Sequence, residues 1–319
     1  MSERVCILGG TGFVGSRLAA RLSRTGHGVT VLSRDLEAHP SLRVLPGVEV
    51  RNCAVHDPAQ LAAAMRGHSA IVNLVGILNE RGFGGEGFRR AHVELTRAAL
   101  EACRSVGARR YLQVSALGAA EDGPSHYLRS KGAAERLVRE SCEDLGWSIF
   151  RPSVIFGPGD SFLNRFAALL AAVPFVFPLA MADARMQPVF VDDVVEALAA
   201  GVEGRAAAHR VYELGGPRVY RLGEIVEFVA AAVGLRRRVL PLPRWASRMQ
   251  ALAMDFVPGR PFSTDNFRSL TVDSVCHDDG FGRLGFAPRP MDGMAQLYLG
   301  ACAAHRRLGD YRRRAGREL

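Results

Sequence analysis

The stretch "YLRSK" places Tyr127 four residues before Lys131, and Lys131 is the single lysine in a chain whose Lys plus Arg total 41. Residues at i and i+4 share a helix face, so an ammonium there can lie near the phenol and lower its pKa from about 10 toward neutrality. A lysine is also a compact charge with three rotatable donors, better suited to ribose hydroxyls than the planar fork of arginine. The expectation is that Tyr127 acts as a general acid or base beside a nucleotide, with Lys131 serving both the phenol and the ribose. The alternative is a leftover lysine in an arginine-rich chain. The chemical reading requires a nucleotide site elsewhere in the sequence.

"GGTGFVG", Gly9 to Gly15, supplies one. Gly9, Gly12 and Gly15 have the G-x-x-G-x-x-G spacing between an apolar run and a helical pattern, where backbone amides and the helix dipole receive a pyrophosphate. Thr11, Phe13 and Val14 are expected to line the cofactor with them. The plainer alternative is a glycine-rich tight turn. An acidic residue ending the second strand would grip the ribose 2′-hydroxyl of NAD. This chain has Ser33 and Arg34 there, a hydroxyl and a guanidinium suited to a 2′-phosphate, with Asp35 one residue late. NADP(H) is therefore favoured over NAD(H), the alternative being an Arg34 solvated in its loop.

The elements that must hold these groups follow a strand-then-helix rhythm. "RVCIL", "GVTVLS", "VEVRN", "AIVNLVG", "RRYLQVS" and "WSIFRPS" alternate with amphipathic stretches near residues 13–24, 58–65, 88–102 and 127–145. Apolar strands alternating with helices predict a parallel sheet covered on both faces, a doubly wound α/β fold. "RPSVIFGPGD" reads as a loop, "RGFGGEG" as a flexible loop, and "MQPVFVDDVVEAL" and "VYELGG" as returns to the sheet. Residues 1–234 form the expected Rossmann domain, with excursions after 153 on the substrate side. Residues 235–319 form a smaller lobe and a basic tail.

With 319 residues, 48% hydrophobic content and mean hydropathy near zero, the chain is expected to be soluble and globular. A net charge of +9 and pI near 9.8 favour anionic partners. The arginines are scattered, and "LRRR" and "YRRRAGR" lack interleaved aromatics, which argues against nucleic acid. The six cysteines, Cys6, Cys53, Cys103, Cys142, Cys276 and Cys302, form no CxxC pair, so reduced thiols and no metal site are expected. No cleavable signal is expected at the amino terminus. The charge-free run Phe166 to Ala182 is shorter than a membrane-spanning helix and contains Pro174 and Pro178. It reads as a buried helix and lid wall, or as an apolar surface for a greasy substrate or a membrane. The expected location is cytoplasmic, with the inner face of a membrane as a peripheral alternative.

Together, "GGTGFVG", "SR" after strand two, "HDP" at His56 to Pro58, "YLRSK" and "RPSVIFGPGD" resemble the extended or atypical branch of the short-chain dehydrogenase/reductase superfamily. The resemblance implies that Asp57 contacts the adenine, that Leu74, Val75 and Gly76 line the cofactor with Pro152 and Val154, and that Tyr127 and Lys131 are the catalytic pair. Active members carry a second Ser or Thr after strand five. Here "VSALG" offers Ser115 first and Ala116 second, so either Ser115 substitutes or the triad is incomplete. His92 stands where many extended members have Asn, and reads as packing. "SHYLRSKGAAERLVRE", "RPSVIFGPGDSFLNRF" and "MQPVFVDDVVEAL" look most like the nucleotide-binding accessory subunits of respiratory complex I and their bacterial homologues. That likeness implies tightly held NADPH, protein partners in a membrane-associated respiratory complex, and a role more structural than catalytic. The other class left open is a working NADP-dependent reductase, epimerase or dehydratase.

Overall fold

Six short runs rich in Val, Ile and Leu become strands because most can be buried on both faces; the edge run Val48–Asn52 alone among the six carries no buried residue. The computed structural model describes residues 2–35, 39–80, 82–141, 144–258 and 260–299. In it β1 (Arg4–Leu8), β2 (Gly28–Ser33), β3 (Val48–Asn52), β4 (Ala70–Asn73), β5 (Arg110–Val114) and β6 (Gly146–Pro152) join Arg210–Leu214 in one seven-stranded sheet. All pairings are parallel, in the order Arg210–Leu214, β6, β5, β4, β1, β2, β3. The strand order reverses between β1 and β4, which opens a crevice at their carboxyl ends. This is the doubly wound α/β architecture expected from the sequence.

One face of the sheet is covered by α1 (Phe13–Arg24) and the helix Val191–Val202, which bury Leu18, Leu22, Val194 and Leu198 against β1 and β2. The other face packs Leu61, Met65, Leu95, Ala99 and Val138 from the helices that follow β3, β4 and β5. A third core gathers Phe156, Leu163, Phe177, Ile225 and Val229 with Met291 and Leu299, over the carboxyl end of the sheet.

Several segments depart from expectation for local reasons. Helix Leu163–Ala172 stops before Pro174, since the residue preceding a proline is driven to extended backbone, and Val173 has ψ 131°. The chain then runs as Val176–Leu179 beside Arg238–Pro241, so the run Phe166 to Ala182 is only partly helical. "VYELGG" does return to the sheet, but "MQPVFVDDVVEAL" does not. Its Val189–Phe190 pairs only with Ile155–Phe156, inside the segment read as a loop, and then opens a helix. "RGFGGEG" is tied down, because the Glu80 carboxylate accepts from the backbone N–H of Gly85 (2.6 Å) and Gly87 (2.7 Å). The basic tail "YRRRAGR", Arg81, Cys142 and Cys302 lie outside the described residues.

The helix His126–Arg139 carries Tyr127 and Lys131, and a buried ion pair fastens it to the sheet. Glu135 is fully buried and takes a two-pronged bond from Arg151 of β6 (2.7 and 2.6 Å) and another from Arg139 (2.7 Å). Glu135→Ala leaves the half-buried Arg151 with only its longer contact to Glu213 (3.7 Å), and breaking such a buried pair costs up to about 3–5 kcal/mol. A drop of that size in the free energy of unfolding by urea is expected, with a smaller one for Glu135→Gln.

Candidate functional site

The glycine loop is built so that backbone, not side chain, faces the crevice. Gly9 sits at φ +75°, and a Cβ there would lie 3.1 Å from the Val75 nitrogen and 3.2 Å from the Leu74 carbonyl carbon. A Cβ on Gly15 would come within 2.5 Å of the Gly9 oxygen and the Gly10 Cα, so only glycine lets α1 approach the loop this closely. Gly12 is the N-cap of α1, has no side chain to satisfy the first-turn amides, and no acid occupies that turn. These first-turn N–H groups, left without a side-chain cap beside the partly exposed Thr11, have the arrangement that anion binding at a helix N-terminus uses. Phe13 and Val14 lean on the third core, and the Arg17 guanidinium lies over the Phe13 ring.

At the tip of β2 the Ser33 hydroxyl is turned inward, donating to the Asp35 carbonyl (2.7 Å) and accepting from its amide (3.1 Å). Arg34 is exposed and forms no ion pair among the described residues. Of the two residues read as a 2′-phosphate clamp, Arg34 is therefore the one turned out to solvent. Asp57 caps the helix Pro58–Met65, accepting from Ala59 N, Gln60 N and Gln60 Nε2. These bonds hold its carboxyl below the usual range.

Lys131 is buried at the floor of the crevice, with Nζ donating to the Val114 carbonyl at 3.1 Å. A Cβ on Gly76 would sit 3.3 Å from Nζ, so the glycine after β4 leaves room for the ammonium. Burial lowers the Lys131 pKa to about 8, partly offset by Glu135 one turn along the helix. Tyr127 behaves contrary to expectation. Burial pushes its phenol up to about 12, and no lowering by Lys131 is resolved. Desolvation outweighs the neighbouring charge, so near neutral pH the phenol is a proton donor.

His92 does more than pack. Its Nε2 accepts from the Ile77 amide (3.1 Å), which places the proton on Nδ1, facing the Ser130 hydroxyl (2.8 Å). Ser130 passes that bond to the Tyr127 carbonyl (2.8 Å). Burial first, and the Lys131 charge second, depress His92 to about 2, so it is neutral at physiological pH. It lies in a π-helical segment, Arg89–Glu94, an irregularity frequent at functional sites. Ser115 follows β5, its amide bound to the Phe150 carbonyl (2.7 Å), and its buried hydroxyl has no partner. An orphaned buried hydroxyl is rare and fits a group that bonds to a ligand. Pro152 is buried at the end of β6, with its carbonyl accepting from Leu117 N.

Val154 and Tyr127 open onto a cavity of about 320 Å³ whose other walls include Phe162, Phe166, Phe177, Leu179, Met186 and Met254. Its few polar groups include Asn79, whose buried Oδ1 is unpartnered. The apolar run Phe166 to Ala182 thus furnishes the wall of a pocket. Sequence reasoning missed Asn79, Glu135 and Arg151; only Glu135, one helical turn beyond Lys131, left a signal that spacing could have shown.

Fold, glycine loop and Tyr-Lys helix together define a nicotinamide-dinucleotide-binding Rossmann protein. The sequence profile of an NAD(P)H-binding family matches residues 9–159. The chain is 34% identical over 241 residues to a ceramide reductase of Caulobacter vibrioides, covering 75% of this chain and 73% of that protein. It is 29% identical over 310 residues to NADH dehydrogenase (ubiquinone) 1 alpha subcomplex subunit 9 of Arabidopsis thaliana, covering 92% and 76%. Among solved structures, the dTDP-glucose 4,6-dehydratase of Streptomyces venezuelae with NAD bound superposes with TM-score 0.73 at 19% identity, covering 95% and 97% of the two chains. This chain belongs to the NAD(P)-binding short-chain dehydrogenase/reductase family and is related to the complex I subunit.

The Lys131 shift predicts a pH signature. Its folded value, about 8, lies below the unfolded one, about 10.4. Between those limits the unfolded chain binds more protons, so the stability of the nucleotide-free protein rises with pH from about 8 toward 10. The penalty is fully present below about 8. Lys131→Met should flatten that rise, as read from urea midpoints across the window.

Proposed function

We propose that this chain is an NADP(H)-dependent reductase acting on the carbonyl group of a lipophilic, long-chain substrate. The observation that carries the reading is Tyr127, the proton donor of the Tyr-Lys helix, lining a cavity whose walls are mostly apolar. When bound, the reduced nicotinamide supplies the hydride. The chain's own part is to hold the substrate oxygen and give it a proton. Tyr127, protonated at neutral pH, is the general acid. The Ser115 hydroxyl, lacking a partner, is free to donate to the same oxygen where other members use the second serine. Lys131, charged below about pH 8, holds the ribose and favours the anionic cofactor. Arg34 receives the 2′-phosphate and sets the preference for NADP(H). The ceramide reductase among the relatives supports a lipid substrate. The described residues from 235 to 299 contribute the smaller lobe beside it, and the protein works at the cytoplasmic face of a membrane.

A second reading is favoured by a different observation. Ala116 replaces the usual second hydroxyl, and several relatives are complex I subunits. On that reading the chain holds NADPH as an accessory or assembly component with protein partners in a respiratory complex.

Two measurements separate and test these readings. With a long-chain ketone as substrate, Tyr127→Phe should lower NADPH-dependent turnover by about 10²- to 10⁴-fold with little change in NADPH affinity. If the wild-type chain turns over no such carbonyl, while Lys131→Ala loses nucleotide and melting temperature together, the scaffold reading stands instead. Calorimetry should show tighter NADPH than NADH binding, with Arg34→Ala removing about 1.5–3 kcal/mol of that preference. Equal affinities in the wild-type chain would sink the NADP assignment.

A further inference from the structure

The helix Arg244–Met254 is inside out. Its buried positions are small, Ser247 and Ala251, while Trp245, Met249 and Leu252 at i, i+4 and i+7 stand in solvent, with Phe256 just beyond. Trp245 is 73% exposed and Phe256 83%. An ordinary surface helix turns such residues inward, and a contiguous apolar patch on a water-soluble face marks an interaction site. The patch continues onto the neighbouring strand pair, where Leu240 is exposed opposite Pro178, and Gln250 Nε2 bonds to the Pro178 carbonyl to hold helix and strands together.

Charge says what covers it. Residues 228–254 contain five arginines and no acid. Of these, Arg236, Arg238, Arg244 and Arg248 are exposed and make no ion pair among the described residues. A second copy docking by two-fold symmetry would bring arginines against arginines, a like-charge contact that opposes self-association. Apolar residues interleaved with arginines, with a tryptophan at the rim, instead match the acyl boundary and anionic headgroups of a bilayer. The same helix supplies Gln250 and Met254 to the wall of the apolar cavity beside Tyr127, so its two sides face the cavity and the patch.

We propose that this helix and the adjoining strand pair form a monotopic docking surface for an anionic lipid bilayer, through which a lipid reaches the cavity without crossing water. The delivery of substrate rests on the reductase reading; the docking does not.

Co-sedimentation of the full chain tests it, with vesicles of phosphatidylcholine alone or mixed with phosphatidylglycerol. The chain should pellet with the mixed vesicles, less with phosphatidylcholine alone, and less as salt rises. Replacing Trp245, Met249 and Leu252 together by serine should weaken partitioning by at least about tenfold, because it removes most of the inserted apolar area. Arg244→Glu with Arg248→Glu should remove much of the salt-sensitive part. NADPH affinity and melting temperature should be retained in both variants, since the altered side chains are exposed. Failure of the wild-type chain to pellet, or undiminished pelleting of the triple variant, overturns the proposal. So does a dimer that the triple variant dissociates while vesicle binding persists, which would assign the patch to a second copy. Vesicle binding without carbonyl turnover would overturn the reductase reading and leave the docking surface standing.

Discussion

One ammonium group is taken out of water, and the geometry of the crevice is arranged to permit it. Lys131 is 4% exposed, yet among the described residues the one hydrogen-bond acceptor it is given is the Val114 carbonyl at the end of β5. Gly76 must lack a side chain to make room. His92 must stay neutral, because a second cation so near would be repelled, and the Ile77 amide fixes the tautomer that keeps it so. Glu135, one turn away, returns part of the lost solvation and is itself held by Arg151 and Arg139. Removing Glu135 leaves the charge less well compensated in a poorly solvating site. The parallel sheet is what brings the ends of β4, β5 and β6 to one place.

Much of that arrangement could be read from the chain. Strand and helix bounds such as Gly28–Ser33, Val48–Asn52 and Phe13–Arg24 follow from apolar runs punctuated by glycine, and the loop Gly9 to Gly15 follows from spacing. What could not be read is whatever depends on distant parts of the chain. The Glu135 to Arg151 pair joins residues sixteen apart through a fold, and Asn79 becomes a cavity wall only because residues beyond 250 close over it. The phenol is the instructive failure. Spacing alone predicts that Lys131 lowers the Tyr127 pKa, but spacing carries no information about solvent, and burial reverses the sign.

The apolar lobe repeats this lesson at larger scale. Phe166 to Ala182 looks like one greasy segment, and the alternatives of lid wall and lipid-facing surface appear exclusive. In three dimensions Pro174 divides it into a helix and a strand, and both halves contribute side chains to a single cavity. The surface that meets solvent with large apolar groups is shared between Phe175 and Val176 of this run and the helix Arg244–Met254, whose composition of two arginines and many small or apolar residues gave no clue to which side faced out. Orientation depends on what the helix packs against, here the helix Thr264–Ser269 together with the strand residue Pro178, to which Gln250 bonds.

Whether the protein moves a hydride or only holds its cofactor, the same physical coupling operates. Burial depresses Lys131 from its ordinary range to about 8, so the protein's own groups in the crevice disfavour the charge. On the proposed reading of Lys131 as the ribose-holding residue, an anionic dinucleotide would supply the acceptors and negative potential that the protein withholds, raising the Lys131 pKa on binding and stabilising the fold by linkage. A strained, desolvated cation therefore makes the fold responsive to nucleotide occupancy. An enzyme gains from this a general acid held in register with its cofactor, and a scaffold gains a chain that is fully stable only when loaded. The two uses diverge at Tyr127 and the cavity behind it: a pure scaffold has no need of a phenol facing an apolar chamber, and that chamber is why catalysis is the reading the geometry supports.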